Sequence, residues 1–158
     1  MKKIAFLIST LFYAGYFPKA PGTFGSLVSL PIIFVICYNF GFEGLLLAIA
    51  VALLISFFAI KKVLSYPEHD PSFVVIDEFI GQSVTFLLIA IMLEYNTNIV
   101  PYIIGFVLFR LFDITKPFPV SYADKKIKNA LGVILDDIFA GFYATIILYF
   151  ITIFMKGF

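Results

Sequence analysis

Tryptophan is missing from this chain, and cysteine and histidine occur once each, as Cys37 and His69. A lone cysteine excludes a disulfide framework and any cysteine-built metal cage. Without tryptophan, Tyr and Phe must anchor whatever interface the chain meets. Charge is scarce as well: Asp, Glu, Lys and Arg make up 13% of the residues, about half the usual share. The net charge of +1 gives no reason to expect a nucleic-acid partner.

What fills the space is hydrocarbon. The chain is 62% hydrophobic, against roughly 45–50% in an ordinary soluble domain, and its mean hydropathy is +1.06. These values predict one compact domain, residues 1–158, embedded in a bilayer. Crossing the hydrocarbon takes about 20 apolar residues, about 17 at the least. Residues 44–60, 77–93, 99–115 and 133–154 meet or approach that length, and 26–40 is a shorter fifth. The first apolar run, Ile4–Phe17, is too short to span and runs into Pro18, Pro21 and Gly22, which suits a re-entrant or interfacial helix. It lacks a small-x-small cleavage site and is read as retained, not as a signal peptide. The expected fold is all-α: an integral membrane bundle of about five transmembrane helices plus that short N-terminal segment. With five passes, every lysine except Lys156 falls on one side, which the positive-inside rule makes cytoplasmic.

Against this background two stretches stand out. In "VVIDEFIGQS" Asp77 and Glu78 head an apolar run, and "VILDDIFAGF" repeats the arrangement with Asp136 and Asp137. Small residues follow each pair within a turn: Gly81 in one, Ala140 and Gly141 in the other. Such residues allow two helices to approach closely, which would bring four carboxyl groups together. The plainer reading is capping, since first-turn acids gain about 0.3–1 kcal/mol from the helix dipole. One acid is enough for a cap, however, and a second adds repulsion.

A fifth acid lies in "FRLFDITKPFP", where Arg110, Asp113 and Lys116 recur every three residues and so share a helix face. Pro117 ends that helix by pushing Lys116 out of the helical region. Five acids against two cations leave a net −3, which is costly beside hydrocarbon. One or two divalent ions would relieve it, and a ligand set made only of carboxylates favours Mg²⁺ or Mn²⁺ over zinc. "PKAPGTFGS" supplies Thr23, Ser26 and the amides of a helix start, which suit an anion or serve simply as a cap. His69 and Asp70 in "YPEHDPS" are candidate proton donors or ordinary loop residues.

At these residues the sequence resembles the phosphatidylglycerophosphatase A family. The matching motifs are "PGTFGS", "HD" eight residues before "DEF-x-G", "FRLFDITKPFP" and "DDIFAG", in the family's order over nearly the whole chain. Departures are a shorter amino terminus and Phe118 where tryptophan is frequent. The resemblance implies Mg²⁺-dependent removal of the terminal phosphate of phosphatidylglycerophosphate, at the cytoplasmic face of the bacterial inner membrane. Asp77, Glu78, Asp136 and Asp137 become the expected metal ligands. Asp113, Asp77, Asp136 and Thr23 are the expected catalytic groups, with Asp113 as general base or further ligand. Arg110, Lys116, Thr23, Ser26 and His69 are expected to bind the substrate.

Neighbouring lipid chemistries fit less well. Histidine-nucleophile lipid phosphatases need two histidines, and the "DGxxAR" pattern of CDP-alcohol phosphotransferases and the "DxDx[TV]" motif of aspartyl-phosphate hydrolases are absent. The alternative from another class is a small ion- or proton-coupled transporter, since acids within a membrane often mark a conduction path. The acids here sit at one interface, not at mid-bilayer.

Overall fold

The structure, a computed structural model, describes residues 2–65 and 71–156, and all the regular structure in them is helical. α1 (Lys2–Ser9) leads through a 3₁₀ turn (Ala14–Tyr16) to α2 (Pro21–Val63). Another 3₁₀ turn, Pro71–Phe73, precedes α3 (Ile76–Phe86), which continues through 3₁₀ residues Leu87–Ile89 into α4 (Ala90–Leu93). α5 (Val100–Thr115), α6 (Val120–Lys126) and α7 (Ala130–Lys156) complete the chain.

Three of these segments are long and apolar enough to cross a membrane: Pro21–Val63, Ile76–Leu93 and Ala130–Met155. The sequence led us to expect five, with 26–40 and 44–60 as separate helices. Those two helices are present as the halves of Pro21–Val63, which meet at Gly41, where the backbone leaves the helical region. Gly41 has φ 52° and ψ −140°, a backbone state that glycine alone adopts cheaply. It lets the run fold back on itself, so that Ile32 of the first half lines the same cavity as Ala52, Ile55 and Ser56 of the second. Gly41→Ala should therefore destabilise the protein by about 1–3 kcal/mol. Thermal unfolding in detergent checks this, and an unchanged midpoint would mean that the reversal does not depend on glycine.

α1 lies along the second half of α2, with Ile4, Ala5 and Ile8 beside Ile55, Phe58 and Ala59. The chain then turns back through Leu11, Phe12 and Tyr13, all with positive φ. The Thr10 hydroxyl accepts a hydrogen bond from the Tyr13 amide at 3.0 Å, and the Val75 amide donates to the Ser9 carbonyl at 2.8 Å. The turn is thereby tied to the entry of α3.

α3 is the central helix, and every residue from Ile76 to Phe86 is buried. Its hydroxyls are satisfied within the helix: Ser83 donates to the Phe79 carbonyl at 2.7 Å and Thr85 to that of Gly81 at 3.1 Å. The outer faces of α2 and α7 stay apolar and exposed, with Leu47, Phe58, Phe150 and Phe154 among the most open. Such faces are expected where lipid is the solvent, because no amphipathic stripe is needed.

Candidate active site

The site begins with a close helix contact. A Cβ on Gly81 of α3 would stand 2.6 Å from the backbone oxygen of Asp137 in α7, and one on Gly141 would collide with the carbonyl of Gly81. Reciprocal glycines thus let the two backbones touch. The consequence is that the acid pairs of α3 and α7 meet at one end of the bundle, each buried: Asp77, Glu78, Asp136 and Asp137.

α3 opens at Ile76, so Asp77 and Glu78 do lie in its first turn, and Asp77 Oδ1 accepts the Glu78 amide at 3.2 Å. α7 differs from expectation. It starts at Ala130, not at residue 133, because Asn129 Oδ1 caps it by accepting the amides of Leu131 (2.9 Å) and Gly132 (3.3 Å). Asp136 and Asp137 therefore sit more than a turn inside the helix, where capping does not account for them.

Adjacent residues on a helix point about 100° apart, and each acid pair divides accordingly. Glu78 and Asp137 turn toward Asp113 of α5, and one oxygen from each of the three lies within 4.8 Å of the others. Arg110 closes one side of this cluster: Nη1 is 2.6 Å from Glu78 Oε2 and 2.9 Å from Asp113 Oδ2. The Ser26 hydroxyl donates to Glu78 Oε2 at 2.7 Å and accepts from Arg110 Nη1 at 3.3 Å. Two features of this cluster are unsatisfied among the described residues. Asp137, only 4% exposed, has no ion-pair partner, and the buried Nε of Arg110 has no hydrogen-bond acceptor.

The N-terminus of α2 abuts the same cluster. The sequence placed the apolar run at 26–40, but the helix begins earlier, at Pro21, a residue preorganised for a first helical position. Thr23 and Ser26 are thus helical. A Cβ on Gly22 would meet the Glu78 carboxylate, with Arg110 Nη1 3.5 Å away, so the helix start lies directly against the cluster. Thr23 is half-buried in this first turn.

Asp77 and Asp136 turn the other way, into a cavity of about 560 Å³ shared with Ser72, Lys116, Asp124, Lys128 and Asn129. Lys116 was expected to continue the Arg110–Asp113 stripe. As Pro117 requires, however, it leaves the helix and caps α5 in the left-handed region, φ 44° and ψ 57°. Its ammonium leaves the stripe and meets Asp124 Oδ1 at 2.7 Å and Asp136 Oδ2 at 2.9 Å. Burial works against the charge, but the hydrogen bonds and charges of the two carboxylates outweigh it and hold Lys116 above the ordinary lysine range. Charge connects the two compartments: Asp137 lies in the field of Glu78, Asp77, Asp113 and Asp136.

A cluster of carboxylate oxygens beside a half-buried arginine and a helix N-terminus is suited to a phosphate with a divalent ion. The family model described as "Phosphatidylglycerophosphatase A" matches residues 7–152. The chain belongs to the phosphatidylglycerophosphatase A family. A relative of that description from Haemophilus influenzae is 32% identical over 98% of this chain and 96% of its own length. Another, from Escherichia coli, is 31% identical over 92% of this chain and 81% of its own. A protein of Bacteroides thetaiotaomicron described as "Putative phosphatidylinositol-3-phosphatase" is 35% identical over 94% and 95%. No solved structure matches. Membership of the phosphatidylglycerophosphatase A family makes the chain a phosphoric monoester hydrolase.

For this hydrolase the structure brings Glu78, Asp113, Asp137, Arg110 and Ser26 into one cluster, with Asp77, Asp136 and Lys116 in the adjoining cavity. His69 and Asp70 lie outside the described residues. Asp124 was missed by sequence reasoning. Its signal is modest: an acid inside the most basic stretch of the chain, close to Lys116, Lys125, Lys126 and Lys128.

Proposed function

We propose that the chain hydrolyses the terminal phosphomonoester of phosphatidylglycerophosphate to phosphatidylglycerol and phosphate, using Mg²⁺ held by the acid cluster, with Mn²⁺ able to replace it. The observation that carries this reading is the buried Asp137, without a cation partner among the described residues and within 4.8 Å of Glu78 and Asp113. An uncompensated charge at such a site costs about 3–5 kcal/mol, and three carboxylate oxygens fit a hard divalent ion that completes its shell with water and substrate phosphate. When bound, the ion neutralises charge and polarises a phosphoryl oxygen.

The chain's own residues supply the rest. Glu78, Asp113 and Asp137 hold the ion, with Asp77 and Asp136 as further ligands from the cavity side. Arg110 keeps Glu78 and Asp113 in place through Nη1 and offers its unpartnered Nε to a phosphate oxygen. Thr23 and the first amides of α2 cradle the phosphate at the helix N-terminus. Ser26 orients Glu78, and Lys116 neutralises charge from the cavity. Asp113 accepts the proton of the attacking water, the phosphorus–oxygen bond to the headgroup breaks, and the released alcohol oxygen takes a proton from solvent.

The topology we propose has five passes: the two halves of α2, α3 with α4, α5, and α7. Lys61, Lys62, Lys116, Lys125, Lys126 and Lys128 are all on the acid-bearing side of these passes, which supports a cytoplasmic site. The family, and not a transporter, accounts for acids gathered at one end. In detergent, the purified protein should release phosphate from phosphatidylglycerophosphate, fall to background in EDTA, and recover with Mg²⁺ or Mn²⁺. Full activity in EDTA would remove the ion from the mechanism, and no release at all would remove the substrate.

A further inference from the structure

We infer that Asp124 is a positioning residue: it holds the Lys116 ammonium across the mouth of the cavity, where that ammonium binds the substrate's anionic headgroup. The inference rests on the proposed role of Lys116 and adds a group that neither the motifs nor the acid cluster includes.

Three elements converge here. Lys116 follows α5, Asp124 lies on α6 and Asp136 on α7. The Asp136 side chain is 11% exposed and Asp124 38%, so one carboxylate forms the inner wall and the other the rim. Lys116 bridges them with contacts of 2.7 and 2.9 Å. An ammonium has three donors, and two carboxylates leave one for an anion in the cavity. Asp124 also binds a second cation, because its backbone carbonyl accepts from Lys128 Nζ at 3.1 Å. Both lysines on the cavity wall are thus fastened to one residue.

Removing the Asp124 charge leaves Lys116 with one carboxylate partner and a flexible four-carbon stem. The ammonium would then settle on Asp136, or swing into water, in place of facing the headgroup. The plainer reading is that the pair only ties α6 to the end of α5. That reading predicts a change in stability but none in anion affinity.

The test is a double-mutant cycle on the full-length protein in detergent with Mg²⁺: wild type, Asp124→Asn, Lys116→Gln and the double variant. Calorimetric titration with inorganic phosphate gives the anion affinity without turnover, and KM and kcat follow from lipid hydrolysis. Asp124→Asn should weaken phosphate binding and raise KM by about five- to tenfold, with kcat within about twofold. On the Lys116→Gln background the same change should have almost no effect, because coupled residues are non-additive. Asp124→Glu should recover most of the affinity, and it replaces Asn in the cycle if the Asn protein does not fold. Unchanged affinity and KM, additive losses, or a wild type that binds no phosphate would each overturn the inference. The phosphatase reading fails by a different result, the absence of phosphate release from lipid by the wild type.

Discussion

Asp137→Asn should yield a folded protein that has lost phosphate release by a factor on the order of 10²–10³. The amide keeps the size of the side chain and removes the one buried charge of the cluster that no described residue pairs. Glu78 and Asp113 would still share Arg110, so the variant keeps its local ion pairs and loses a ligand. A second readout separates this from simple damage. A ligand that binds only the folded state stabilises it, by about 2.7 kcal/mol at a hundred times its dissociation constant. Mg²⁺ should therefore raise the melting temperature of the wild type and leave Asp137→Asn nearly unmoved. In EDTA the order should invert, or at least level, because the wild type then carries an uncompensated buried carboxylate and the variant does not. A variant that keeps both its activity and its Mg²⁺-dependent stabilisation would take Asp137 out of the metal site.

Gly81→Ala tests the other physical requirement, the close approach of α3 and α7. The new methyl group would lie 2.6 Å from the Asp137 backbone oxygen and equally near the Phe109 ring. A backbone oxygen cannot swing aside as a flexible side chain can, so the helices must separate. Overpacking of this kind costs about 1–3 kcal/mol. The catalytic cost should be larger in proportion, because a displacement of about 1 Å at reacting groups lowers rates by about 10². Gly105→Ala is the matching control. Its methyl group meets the Phe86 ring and Leu148, so it should lower the melting temperature without a comparable loss of turnover. Equal losses of activity in the two variants would show that general loosening, and not the approach at Gly81, governs the site.

Much of this was legible in the chain itself. Long runs of hydrocarbon side chains specify helices in lipid because only a helix satisfies its own backbone there. The acid pairs announced themselves for the converse reason: charge beside hydrocarbon persists only where something compensates it. The Arg110–Asp113 ion pair followed from a spacing of three, and the exit of Lys116 from the helix followed from Pro117. These are local effects, and local effects can be read along a sequence.

What the sequence determined by itself is therefore the helical class and the stock of charged groups. Only the tertiary structure decided that the cluster is Glu78, Asp113 and Asp137, with Asp77 and Asp136 turned into the cavity. Neighbouring side chains leave a helix about 100° apart, so which acid of each pair faces which partner depends on how the helices are rotated. That rotation is set where Gly81 and Gly141 let two backbones touch. The small residues after each acid pair pointed to a close approach, but not to the angle at which the helices meet.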